Sequence, residues 1–148
     1  MSELRIDRGD WVVVCDGAKA LVLENIGNRA SPRLHTREVY QQSDPKTHEL
    51  GTDAPGRAFA SVGNMRSAME QTDWHDQAER GFLANLAGRL DAAVIAGETK
   101  GLIMVAPPRA LGMIREAYSP HVRGALRAEL DKDLVKMSVD EIEKHLLG

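Results

Sequence analysis

Two imidazoles and two carboxylates, His48, Asp73, His75 and Asp76, stand in one polar stretch and are of the types that hold a divalent metal ion. Their spacing works against that use. His75 and Asp76 are chain neighbours that point about 100° apart on a helix, and His48 lies far upstream. Helix capping is the ordinary role for Asp73. In the same stretch, Glu49, Asp53, Arg57 and Arg66, with Gly51 and Gly56 to permit tight turns, would present carboxylates and guanidinium groups to a ligand. The competing reading is that Asp53 and Arg57 neutralise each other. Arg109 follows Pro107 and Pro108 where a strand gives way to a helix, and free N–H groups there suit a phosphate or carboxylate. Its alternative is an ion pair with the acidic stretch.

Arg33, His35 and Arg37, joined by Arg29, would make a basic stripe on one strand face, suited to an RNA backbone or simply to solvent. Asp16, Asp131 and Asp133 could feed a two-metal nuclease, but no further carboxylate on a neighbouring strand completes the set. A hairpin turn at Asp16-Gly17 and a strand-end turn at 131–133 explain them more simply. Cys15 sits in an apolar run and reads as a small buried hydrophobe.

The elements that must position these groups follow from the apolar pattern. The chain has 148 residues, 43% hydrophobic and 28% charged, which fits one α/β domain over 1–148. WVVVC at 11–15 is rich in β-branched residues and closes on Asp16-Gly17, so it reads as a buried strand. Residues 20–26 are its hairpin partner, and 33–41 form a third strand with Arg33, His35 and Arg37 on one face and Leu34, Thr36 and Tyr40 on the other. An antiparallel three-strand meander results. Next comes a polar loop at about 43–73, then a helix from about Trp74 to Gly97, capped by Thr72 or Asp73. LIMVA at 102–106 is a fourth strand covered on both faces, and the prolines start a helix buried through Leu111, Ile114 and Tyr118. A strand around 125–130 and a last helix, with a Ser138/Glu141 capping box and an inward Ile142, His145, Leu146 stripe, complete a single mixed sheet with helix-strand-helix units.

Charge is distributed unevenly. Residues 43–76 hold six Asp/Glu against three Lys/Arg, while the rest has sixteen of each, so this segment carries the whole formal charge of -3. A pI near 5.9 gives no bulk attraction for nucleic acid. With one cysteine, no export signal and no apolar run of membrane-spanning length, a cytoplasmic protein is expected.

Three blocks, WVVVCDGAKALVLEN, HELGTDAPGRAFAS with RSAMEQTDWHD, and LIMVAPPRALGMIR followed by ELDKDL, together resemble the bacterial host attachment proteins. That family is in turn similar in fold to the middle domain of archaeal and eukaryotic class-one release factors and of Pelota. The resemblance implies three antiparallel strands, a long loop and a long helix, and it implies no enzymatic activity. Release factors carry a Gly-Gly-Gln tripeptide in that loop. Here the nearest text is Val62-Gly63-Asn64-Met65, which lacks both the glycine pair and the amide, and this argues against peptidyl-tRNA hydrolysis.

The expectation is a non-enzymatic binding protein, without cofactor or metal, whose binding residues are Arg33, Arg37, Glu49, Asp53, Arg57, Arg66, His75, Asp76 and Arg109. Its expected partner is the ribosome, RNA or another protein, with self-association also open, and it would influence host attachment indirectly. The alternative is a metal-assisted hydrolase, a nuclease or phosphoesterase, using residues 49–76.

Overall fold

The two runs that are apolar at every position lie at the centre of the sheet. The structure, a computed structural model, describes residues 5–42 and 68–147, with side chains of the second stretch described over 75–146. β1 (Trp11–Cys15) and β4 (Leu102–Ala106) are buried throughout and pair in parallel. Continuous apolar runs are what a strand covered on both faces requires. β2 (Lys19–Asn25) pairs antiparallel with β1, and β3 (Leu34–Gln41) antiparallel with β2. β5 (Leu126–Asp131) pairs in parallel with β4, giving the order β3-β2-β1-β4-β5 and a mixed sheet.

Among the described residues, three helices cover one face. α1 (Ala68–Ala96) buries Leu83, Leu86, Leu90 and Ala93 against Trp11, Val13, Val22 and Met104. α2 (Pro108–Arg115) and α3 (Pro120–Ala125) add Leu111, Ile114 and Val122 to the same core. On the other face α4 (Val139–Leu147) lays Ile142 and Leu146 on Val12, Leu23 and Ile103, with Ile6, Leu134 and Val135 filling in beside it. α1 stops at Gly97, where φ is +79°. Gly97 N–H bonds Val94 O at 3.1 Å and Glu98 N–H bonds Ala93 O at 2.8 Å, the paired closure that a left-handed glycine makes possible. No helix among the described residues is long and apolar enough to cross a membrane.

Several expectations need correction. α1 begins at Ala68, so the expected loop of 43–73 gives way to helix six residues earlier, and Thr72 and Asp73 lie inside the helix rather than capping it. Ala68, Met69, Glu70 and Gln71 are all strong helix formers, which the polar reading of this stretch overlooked. The strict alternation expected along β3 is interrupted. Val22 faces Glu38 while Leu23 faces Thr36, leaving Arg37 as the extra residue of a bulge. Leu34 therefore packs on the α4 side, and Tyr40 on the α1 side with Arg37. His145 is exposed, not inward, because Ile142 and Leu146 alone suffice to cover the sheet there. α3 was not read from the sequence at all; Ser119 caps it, accepting the Val122 N–H at 3.1 Å, and Pro120 occupies its first position.

Candidate functional site

β1, β3 and β4 run in the same direction, so Cys15, Gln41 and Ala106 all end at one edge of the sheet. Chain connections leave β1 toward β2 on one side and β4 toward β5 on the other, and open α/β sheets bind ligands at such a divergence. At this edge Asp16 turns the hairpin, its Oδ1 accepting the N–H groups of Ala18 at 2.8 Å and Lys19 at 2.9 Å. That use explains the carboxylate without metal chemistry. Gln42 then ties β3 to its surroundings: its N–H bonds Ala18 O at 2.7 Å, and its side-chain amide reaches Gly17 O and Ala78 O at 3.2 Å each. A Cβ on Gly17 would lie 2.8 Å from the Glu79 side chain, so a glycine lets α1 approach the hairpin. Residues 43–67 connect Gln42, at this edge, to the start of α1 at Ala68.

Arg109 is the cation at the centre of this edge. Its Nη2 lies 2.6 Å from Asp76 Oδ1, and its Nε donates to Glu79 Oε1 at 3.0 Å. Arg80 bonds the other Asp76 oxygen at 3.0 Å and Glu116 at 2.9 Å. The Arg80 hydrogen bond, helped by Arg109, holds the Asp76 carboxyl below its ordinary range. Asp76 is thereby kept as a carboxylate, ill-suited to give up a proton near neutrality. His75 is exposed on α1 beside it.

Of the other residues expected at the site, Glu49, Asp53, Arg57 and Arg66 lie outside the described residues, as does His48. Arg33 is exposed at the start of β3, with its N–H donated to Asn25 Oδ1 at 2.8 Å. Arg37 is drawn away from any basic stripe: it bonds Glu24 and Glu98 at 3.1 Å each and places its guanidinium 4.9 Å from the centroid of Trp11. Arg29 pairs with Asp7 at 2.6 Å.

Arg37 belongs to a second cluster, which the sequence did not reveal. Arg89 of α1 lies 5.6 Å from the same Trp11 centroid and bonds Glu38 through Nη2 at 2.5 Å and Nε at 3.1 Å. Its Nη2 also reaches Glu98 at 2.9 Å. Tyr40 donates its hydroxyl to Glu38 at 2.5 Å. Hydrogen bonding from Arg89 holds the Glu38 carboxyl below its usual range and raises Arg89 itself. Beneath them Trp11 is fully buried, and its indole N–H has no partner among the described residues. The signal available in the sequence was Arg89 falling on the apolar stripe of Phe82 and Leu86, where a charge demands a partner. Beside this cluster opens a cavity of about 210 Å³ lined by Tyr40, Gln41, Phe82, Asn85, Leu86 and Arg89.

The other polar groupings among the described residues form no reactive centre. Asp91 Oδ1 accepts from Ser119 Oγ at 2.6 Å and lies 3.1 Å from His121 Nδ1, so the carboxylate sits between serine and imidazole instead of beyond the imidazole. Burial pushes the Cys15 thiol up to about 12, far from a reactive thiolate. Asp131 and Asp133 are exposed, and no group of three or more His, Cys, Asp or Glu among the described residues is arranged to hold a metal.

These features define an α/β protein with a mixed sheet, in which residues 43–67 connect the end of β3 at the carboxyl edge to the start of α1. A family model described as a protein required for attachment to host cells matches residues 11–146, and the chain belongs to that family. Comparison with curated proteins returned no match.

Proposed function

We propose that this member of the host attachment family is a non-enzymatic binding protein of the cytoplasm that contacts the translation machinery and affects attachment to host cells indirectly. Its contact surface is the carboxyl edge with segment 43–67 and the acidic first turns of α1, which carry Glu70, Asp73 and Asp76. The observation that carries this reading is that Gln42, the residue before that segment, is bonded to Ala78 O beside one cluster of surface ion pairs made by Asp76, Glu79, Arg80 and Arg109. Exposed ion pairs of this kind exchange their partners at little cost, so a macromolecule with complementary charge can take them over. The order of three antiparallel strands, segment 43–67, long helix and strand-helix units supports the release-factor-like comparison on which the choice of partner rests.

A hydrolase built on the same segment has less support. Arg109, its intended anion holder, is already bonded to Asp76 and Glu79, and Asp76 is fixed as a carboxylate by two arginines.

Cosedimentation with ribosomes, at low and at high salt, tests the proposal. Association that weakens with salt, and weakens again in a Glu49→Gln, Asp53→Asn double variant, is the expected result. No association at low salt overturns it. Capture of a ribosome-free protein instead would retain the binding surface and replace the partner. Product formation from single-stranded RNA on adding Mg²⁺ or Mn²⁺, lost in Asp53→Asn, would favour the hydrolase.

A further inference from the structure

The cavity between the end of β3 and the middle of α1 adjoins the carboxyl edge at Gln41, and its chemistry is more restrictive. Two aromatic rings, Tyr40 and Phe82, and the Leu86 side chain supply apolar walls. The Tyr40 ring is fixed by its hydroxyl bond to Glu38, and Phe82 and Leu86 pack on the main core. Around these walls stand two side-chain amides, Gln41 and Asn85, neither of which makes a side-chain hydrogen bond among the described residues. Each offers an N–H₂ donor and a carbonyl acceptor.

Arg89 also borders the cavity, but four of its five N–H groups are taken. Nε and Nη2 bond Glu38, and Nη1 and Nη2 bond Glu98 at 3.4 and 2.9 Å. An anionic ligand would have to displace two carboxylates from it. The cavity therefore selects against phosphate and carboxylate. Its size sets the other limit. A cavity of about 150 Å³ accommodates benzene, and drug-sized ligands occupy roughly 300 Å³ or more. A volume of about 210 Å³ admits a single ring system with a few polar substituents.

We infer that this cavity binds a flat, uncharged heterocycle of the nucleobase kind, stacked against Tyr40 and Phe82 and read along its edge by the amides of Gln41 and Asn85. Stacking accepts any aromatic face, and paired donor and acceptor groups favour a ring with amide-type edges over a plain hydrocarbon. The source of the base is either a free nucleobase or nucleoside, or a residue of a single-stranded RNA. This inference rests on the cavity alone and does not depend on segment 43–67.

Fluorescence provides the test, because Trp11 lies beneath Arg89 and the chain's other tryptophan is Trp74. In a Trp74→Phe variant, titration with uracil and adenine should change Trp11 emission saturably, with a dissociation constant on the order of a millimolar for so small a ligand. Side-chain amide resonances of Asn85 and Gln41 should shift in parallel. Asn85→Ala, on the exposed side of α1, should weaken binding roughly fivefold, and Phe82→Leu roughly tenfold. Uridine 5′-monophosphate should bind no more tightly than uridine, and toluene more weakly than uracil. A short single-stranded RNA that competes with uracil identifies polymer as the source, and failure to compete identifies the free base. The inference is overturned if neither base perturbs Trp11 or the amides, if toluene binds as well as uracil, or if both variants bind like wild type. A gain from the phosphate also overturns it, since Arg89 would then be available after all.

Discussion

Two arginine clusters flank α1, built from the same chemistry and placed in opposite surroundings. At the carboxyl edge Arg109 and Arg80 are 64% and 49% exposed, and Glu116, a partner of Arg80, is 70% exposed. Over Trp11, Arg89 and Glu38 are 28% and 18% exposed and rest on a fully buried indole. In the first cluster water competes for every charge, so the pairs hold little free energy and leave a surface able to exchange partners. In the second, partial desolvation and the aromatic face strengthen the same pairings and commit them to joining β3 to α1. Charge content alone therefore does not separate a contact surface from a clamp; the residue beneath the guanidinium does.

The sharpest way to break this comparison is to remove the clamp. Arg89→Ala leaves Glu38 half-buried without its main partner and uncovers Trp11, and it should cost about 2 kcal/mol in urea unfolding. A double-mutant cycle of Arg89→Ala with Glu38→Gln should return a coupling of about 1 kcal/mol or more, whereas the cycle of Arg109→Ala with Asp76→Asn should show none above error. Equal couplings would erase the distinction.

Acidification probes the clamp more gently. Because Arg89 lowers the folded-state carboxyl of Glu38 below 4.5, this group contributes stability that is present above that pH and is lost as pH falls through the lowered value. Glu98, also lowered chiefly by Arg89, acts in the same sense; Arg37, Tyr40 and Glu24 complete the charged and titratable surroundings. Asp10, raised by burial, works in the opposite direction, gaining stability as it is protonated. Wild type and Glu38→Gln should therefore be compared across one pH series below 4.5, where the wild-type urea midpoint falls more steeply. Parallel slopes would show that Glu38 is not held by Arg89 in solution.

The clamp and the edge were unequally legible in the sequence for a physical reason. Strands that are apolar at every position, such as WVVVC and LIMVA, announce their burial on both faces, and the capping box at Ser138 and Glu141 announces a helix start, with Glu141 N–H donating to Ser138 Oγ at 3.2 Å. Arg109 was legible because two prolines mark the strand-to-helix junction on which it sits. The clamp depends instead on a bulge. Nothing in the residues 34–41 specifies that Val22 and Leu23 skip one partner, yet that shift alone turns Arg37 and Tyr40 to the side of Trp11. Likewise nothing in the spacing of the charged amino terminus singles out Asp10. It is 2% exposed, accepting the Asp7 N–H at 2.9 Å and lying 3.2 Å from Arg127, a strand-end contact that no local spacing encodes.

The smallest expected effect discriminates most finely. Arg109→Ala should leave the unfolding midpoint unchanged within error, because the pairs it breaks are exposed and Arg80 still holds Asp76. It should nevertheless change binding. Removing one positive charge from between Asp76 and Glu79 makes the edge more negative where segment 43–67 departs, so association with a partner of complementary charge should acquire a steeper salt dependence. A variant that melts early would mean that Arg109 is a second clamp, and the contact surface would have to be sought elsewhere. A variant with wild-type stability and an unaltered salt slope would mean that the edge carries charge without meeting a partner.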